Sequence, residues 1–190
     1  MRGLRNIEDG VTAPNGFSAC GLHAGIKLEE PDMSLLVSDV PANAVAMFTK
    51  NRLIGAHISI CRERIKSGKA QAVVINSGNA NACTGGQGIS DSSKMAGETA
   101  RLLRIDEDLV YPCSTGLVGM PLPMETILQG INRLTKNLSR EGGRLAAEGI
   151  LTTDTVRKEK SIELEIGRNI IRIGAMAKGA GMIEPNMATM

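Results

Sequence analysis

Three stretches of the chain carry residue types suited to chemistry as well as to packing. The first is Asn76-Ser77-Gly78-Asn79-Ala80-Asn81-Ala82-Cys83-Thr84-Gly85-Gly86-Gln87-Gly88, which follows directly on an apolar run. Small residues let a backbone approach a ligand or another chain closely, and Asn tolerates left-handed turns. It is not a phosphate-binding P-loop, because GxxxxGK[ST] is missing and the next lysine is Lys94. By itself the stretch reads first as a tight surface loop. The second is Cys113-Ser114-Thr115-Gly116-Leu117-Val118-Gly119. At a strand end, a Thr-Gly pair can offer a hydroxyl or amide plus a second amide to a developing oxyanion. Many strands end in Ser, Thr and Gly without any such role. The third is Lys178-Gly179-Ala180-Gly181 and onward to Met190, where a lone lysine stands among small and apolar residues. It is either a solvated loop residue or a positioned cation, and composition does not decide which.

The elements that must hold these stretches can be read from periodicity. Met33 to Asp39 reads as a strand ending in a turn at Pro41, and Asn43 to Thr49 as a second, with Val45 and Met47 alternating against Ala44 and Ala46. Ala56 to Lys66 reads as a helix with Ile58, Cys61 and Ile65 on one face, closed by Gly68. Ala70 to Ile75 reads as a buried strand, and the loop from Asn76 to Gly88 follows it. Ser90 is the expected N-cap of a helix to about Leu103, with Met95, Thr99, Leu102 and Leu103 inside. Val110 to Ser114 is a short strand. Met124 to Ile131 and Gly142 to Gly149 are expected helices, and Ser161 to Ile166 with Ile170 to Gly174 form a hairpin across Gly167-Arg168-Asn169. The expected fold class is α/β with α+β character: a layered mixed sheet, flanking helices and a late β-hairpin.

Composition narrows the function classes. The 190 residues fit a single domain spanning 1–190. A net charge of +2 lacks the basic excess of a dedicated nucleic-acid binder, and three aromatic residues, Phe17, Phe48 and Tyr111, make no stacking platform for single strands. No apolar run reaches the ~20 residues that span a bilayer, and Met1 to Gly10 lacks a signal-peptide core, so a cytoplasmic location is expected. Cys20, Cys61, Cys83 and Cys113 form no CxxC pair, and with only His23 and His57 besides, no metal site and no cofactor is expected. All four cysteines are expected to be reduced, and no Cys/His spacing supports a cysteine nucleophile.

The chain closely resembles the N-terminal half of glutamate N-acetyltransferase, also called ornithine acetyltransferase. The resemblance runs from about Gly10 to Met190. Its carriers are Val11-Thr12-Ala13-Pro14 with Gly16-Phe17, the run Asn76 to Gly85, Ser114-Thr115-Gly116, Thr152-Thr153-Asp154-Thr155, and Lys178 to Met190. In that family a precursor cuts itself between Ala and Thr of an Ala-Thr-Met motif, here Ala188-Thr189-Met190. The resemblance implies that Thr189 becomes the nucleophile, its freed α-amine (reference pKa about 7.7–8.0) serving as general base for its own hydroxyl. Before cleavage that nitrogen is an amide and cannot do so. The implied reaction moves an acetyl group from N-acetylornithine to glutamate by a ping-pong route through acetyl-Thr189, within arginine biosynthesis. Thr115 and Gly116 match the family's oxyanion hole, and Thr152, Lys178 and Thr189 match its substrate-contacting positions. The run Asn76 to Gly88 is then scaffold beside the site. The implied partner is a β chain from the same precursor, in an α2β2 heterotetramer. Some members of the family also accept acetyl-CoA as a co-substrate, and the sequence does not say whether this one does.

Two rivals stay open from the sequence: an N-terminal-nucleophile aminopeptidase or amidase, in which water resolves the acyl-threonine, and an uncleaved, non-catalytic relative. A mature α chain should stop at Ala188, so the chain is expected to be one piece of a longer precursor whose β chain completes the fold and the site.

Overall fold

The structure is a computed structural model and describes residues 3–181. Four strands form the main sheet: β2 (Phe17–Leu22), β3 (Met33–Asn43), β4 (Lys69–Asn79) and β5 (Val110–Leu117), in the order β2-β3-β4-β5. The first two pairings are antiparallel and β4–β5 is parallel, so this sheet is mixed. A smaller antiparallel sheet takes β1 (Arg5–Ile7), β6 (Lys158–Ile166) and β7 (Asn169–Ala177), with β6 in the centre. The late hairpin therefore exists, but in a second sheet. Its connection is also tighter than the sequence suggests, since Asn169 pairs with Ile166 and only Gly167 and Arg168 turn the chain.

The four α-helices among the described residues are α1 (Ala56–Arg64), α2 (Gly85–Leu103), α3 (Met124–Lys136) and α4 (Gly143–Gly149). The parallel β4–β5 pair needs a crossover, and α2 provides it. The main core lies where α2 and α3 cover the sheet: Met95, Ala96, Ile127, Ile131 and Leu134 meet Met33, Leu35, Val74 and Val110, all but fully buried. In α4, Ala146 packs on Ala19 and Val11 in a second cluster. Ser34 and Ser77 donate their hydroxyls to the carbonyls of Ala146 and Gly149, which ties α4 to β3 and β4.

Several expected boundaries move, each for a physical reason. β3 passes through Pro41 to Asn43, because its ladder with β4 is interrupted between Val37 and Ala42, where a residue without an N–H is tolerated. The expected strand from Asn43 to Thr49 does not form. Pairing with β4 runs out at Asn43 opposite Lys69, and the alternating Val45 and Met47 face solvent, 98% and 83% exposed. β4 continues four residues beyond Ile75, and α2 begins at Gly85, so only Ala80 to Thr84 of the expected loop lies between elements. Ser90 is accordingly not an N-cap but an exposed residue inside α2. β1 and β2 have too little alternation to be legible in the sequence.

The small sheet is held by charge as much as by its ladder. Glu163 in β6, only 3% exposed, accepts from the guanidinium groups of Arg5 in β1 and Arg172 in β7. Those two arginines, Arg172 first, draw its pKa below the ordinary glutamate value. Three strands thus share one carboxylate. All four cysteines are free. Among the described residues, no helix is long and apolar enough to cross a membrane.

On the buried side of α1, Cys61 donates its thiol to the carbonyl of Pro112 in β5, and His57 lies 8% exposed. Burial pushes the His57 pKa down from 6.5 to about 4. In the unfolded chain the imidazole binds its proton near 6.5, so acid favours unfolding. Stability from this group is complete above pH 6.5 and is lost as the pH falls towards 4, by roughly 3 kcal/mol. Urea unfolding of the wild type and His57→Gln between pH 7 and 4 should therefore diverge, the wild type losing more. Parallel curves would contradict a buried neutral imidazole.

Candidate active site

The C-terminal ends of the parallel strands β4 and β5 open into a cavity of about 620 Å3. Crevices at this end of parallel strands are where α/β folds bind ligands. Its wall includes Thr115, Gly116, Thr152 and Lys178, so four sequence-predicted residues from three distant segments meet in one space. Ala188 and Thr189 lie outside the described residues. Lys27 and His57 line the same cavity and had no motif to announce them.

The strand ends are shaped by side-chain amides. Asn76, fully buried in β4, accepts from the Ser114 hydroxyl at 2.6 Å and donates to the carbonyl of Asn79 at 2.9 Å. Asn79 donates to the carbonyl of Pro121 and accepts from the amide of Asn81. Asn81 donates to the carbonyl of Gly88 and the hydroxyl of Ser92, and so anchors the start of α2, while the Thr84 hydroxyl donates to its side-chain Oδ1. These buried amides are all committed to the frame. The ladder shifts register between Gly78 and Asn79, so Thr115 lies opposite both Ser77 and Asn79. Such a bulge re-aims the strand end. Gly116 has φ +134°, and a Cβ there would lie 2.3 Å from the backbone carbon of Gly78. Only glycine permits that approach. Ser114 is thus occupied, whereas the Thr115 hydroxyl has no hydrogen-bond partner among the described residues.

Thr152 and Lys178 are brought together by a carboxylate. Asp154, its side chain fully buried, accepts from the amide of Gly179 at 2.7 Å, the ammonium of Lys158 at 2.6 Å and, more weakly, the amide of Thr152 at 3.4 Å. Burial alone would raise its pKa. The Lys158 ammonium and the two amides together outweigh that and hold it at about 2. Asp154 therefore stays ionised and clamps the turn bearing Thr152 to the segment after β7 that bears Lys178. The Lys178 ammonium, like the Thr152 hydroxyl, has no partner among the described residues.

A second buried carboxylate organises the opposite wall. Asp32, fully buried, accepts from four consecutive amides, those of Ala24, Gly25, Ile26 and Lys27, at 2.6 to 3.0 Å. The loop before β3 is wrapped on this one side chain, which sets Lys27 against the cavity. His57 is the one buried side chain among the described residues with an unpartnered nitrogen, Nδ1. No cluster of three or more His, Cys, Asp or Glu among the described residues could hold a metal ion. The cavity wall contains two lysines and no carboxylate, which suits an anionic ligand.

Known proteins resemble the chain in sequence and in fold. The chain is 50% identical to the arginine biosynthesis bifunctional protein ArgJ of Caldanaerobacter subterraneus over 97% of its own length and 46% of that protein's. With the ArgJ protein of Listeria monocytogenes it shares 44% identity, over 97% of this chain and 46% of that one. The chain thus spans about half the length of the curated relatives it matches. A crystal structure of ArgJ from Bacillus halodurans superposes with a TM-score of 0.90 at 38% identity, covering 96% of this chain and 97% of that one. Ornithine acetyltransferase from Mycobacterium tuberculosis, solved in complex with ornithine, superposes with a TM-score of 0.88, also at 38% identity, over 96% and 98% of the two chains. The ArgJ family profile matches residues 18–190, and the chain belongs to that family.

Proposed function

We propose that this chain is the α portion of a self-cleaving acetyltransferase that moves an acetyl group from N2-acetylornithine to glutamate. The observation that carries this reading is the Thr115–Gly116 strand end, facing the same cavity as Thr152 and Lys178. Family membership supports it, as does the ornithine bound by a relative of 38% identity.

In this reading the peptide bond between Ala188 and Thr189 breaks first, by attack of the Thr189 hydroxyl on the preceding carbonyl and hydrolysis of the resulting ester. The freed amine of Thr189 then takes the proton from its own hydroxyl as that oxygen attacks the acetyl carbonyl of N-acetylornithine. Negative charge builds on the acetyl oxygen in the tetrahedral intermediate. Donors from Thr115 and Gly116, fixed by the β4–β5 junction, stabilise it without having to reorganise. Ornithine leaves with a proton, and acetyl-Thr189 remains. The neutral amine of glutamate attacks it in the reverse sense and regenerates the threonine. Lys178 pairs with the α-carboxylate that both substrates possess, and Thr152 supplies a hydroxyl beside it. No step calls for a metal or cofactor. Acetyl-CoA as an alternative donor fits the "bifunctional" in the relatives' names. The remaining wall of the site comes from a β chain of the same precursor, in an α2β2 assembly.

Intact mass of the full reading frame tests this directly. Two fragments are expected for the wild type, with an acetyl adduct on the new N-terminal threonine after N-acetylornithine, against one uncut chain for Thr189→Ala. A wild-type precursor that stays whole would point to a non-catalytic relative, and donor hydrolysis unaffected by glutamate would point to an amidase. Thr115→Ala should fold normally and lose about 10²–10³ in kcat, as removal of one oxyanion donor does. Asp154→Asn should act mainly on substrate binding, raising KM about tenfold for both substrates, because it loosens Thr152 and Lys178 together. An unchanged KM would remove the clamp from the account.

A further inference from the structure

The two substrates of the proposed reaction are alike at the α-carbon and opposite at the other end. Both carry an α-carboxylate. N-acetylornithine ends in an ammonium, and glutamate ends in a second carboxylate. To attack the acetyl-enzyme, glutamate must have its amine neutral, so the reacting acceptor carries two negative charges and no positive one. Lys178 answers one of them. The α-carboxylate group is common to donor and acceptor, so Lys178 cannot by itself tell them apart.

The cavity holds a second lysine, and the fold goes to unusual lengths to place it. Lys27 donates its backbone amide to the buried Asp32 at 3.0 Å, the last of the four amides gathered there. Its stem runs over β4, where a Cβ at Gly78 would come within 3.0 Å of Lys27 Cγ. Its side chain is only 15% exposed. Nζ donates to the carbonyl of Leu151 at 3.1 Å, next to Thr152. An ammonium has three donors, so this bond steadies the head without exhausting it. Its acidic neighbour is Glu30 at 3.6 Å, which is 73% exposed and is a surface pair of little strength. A largely buried cation beside a cavity wall free of carboxylates is undercompensated, and a ligand carboxylate would correct that.

On the acetyl-transfer reading above, we propose that Lys27 binds the side-chain carboxylate of the acceptor and thereby selects glutamate in the second half-reaction. Lys178 takes the α-carboxylate in both half-reactions.

Two-substrate kinetics on the self-processed enzyme, comparing Lys27→Met and Lys27→Arg with the wild type, separate this role from a structural one. Lys27→Met should raise KM for glutamate about tenfold or more, as loss of a charged hydrogen bond does. The loss should fall mainly on the acceptor half-reaction, with a smaller change in KM for N-acetylornithine than for glutamate, and the preference for glutamate over glutamine should collapse. Lys27→Arg should restore most of the affinity for glutamate. Equal losses in both half-reactions would mean that Lys27 only braces Leu151, and unchanged glutamate kinetics would overturn the proposal outright. If the wild type forms no acetyl-enzyme, the acetyl-transfer reading fails instead. Calorimetric titration of glutamate into wild type and Lys27→Met then still decides whether Lys27 holds that carboxylate, the expected result being weaker binding by the variant and the overturning result being equal binding.

Discussion

The parallel pairing of β4 with β5 is the constraint on which the rest of the molecule depends. It requires the crossover helix α2, which builds the larger core, and it leaves two strand ends side by side with their last backbone groups to be satisfied. Side-chain amides do that work. Asn76, Asn79 and Asn81 are buried and bonded to backbone or hydroxyl groups, so the register shift at Gly78 is a fixed feature of the fold. The close approach of Gly116 to Gly78 follows from the same shift. A rigid strand end is what an oxyanion site needs, because its donors must be in place before charge develops.

The segments bearing Lys27, Thr152 and Lys178 are brought to the cavity by buried carboxylates that bind backbone amides. Asp154 joins a turn after α4 to the exit of β7, and Asp32 wraps the loop ahead of β3. Glu163 does for the small sheet what these two do for the walls, except that its partners are arginine side chains. Ionised carboxylates bonded to several donors are strong local organisers, since leaving any one of those donors unpaired in the interior is costly. They allow residues separated by long stretches of sequence to share one space without a continuous element between them.

The legibility of the sequence follows this division. Helices with a regular apolar stripe, such as α3, and strands with clear alternation, such as β6, could be read from their residues. Asn76 to Gly88 could not, because glycine and asparagine favour turns locally. Their strand and helix conformations are imposed by tertiary hydrogen bonds, which propensity does not see. Val45 and Met47 erred the other way, alternating as a strand would but finding no edge to pair with. Thr115, Gly116, Thr152 and Lys178 were reachable through short motifs. Lys27 was not, because nothing in Gly25-Ile26-Lys27-Leu28 reveals that a carboxylate five residues on gathers its amides.

The Asp32 loop has a consequence for binding energetics. A lysine side chain on an ordinary loop must be immobilised, with its backbone, when a ligand arrives, and that ordering subtracts from affinity. Here the backbone from Ala24 to Lys27 is already closed on one buried side chain, and the lysine stem is already confined between Gly78 and Leu151. The loss of conformational entropy is incurred once, during folding, and does not recur at each turnover. An irregular segment can therefore present a charge with the stiffness of a strand.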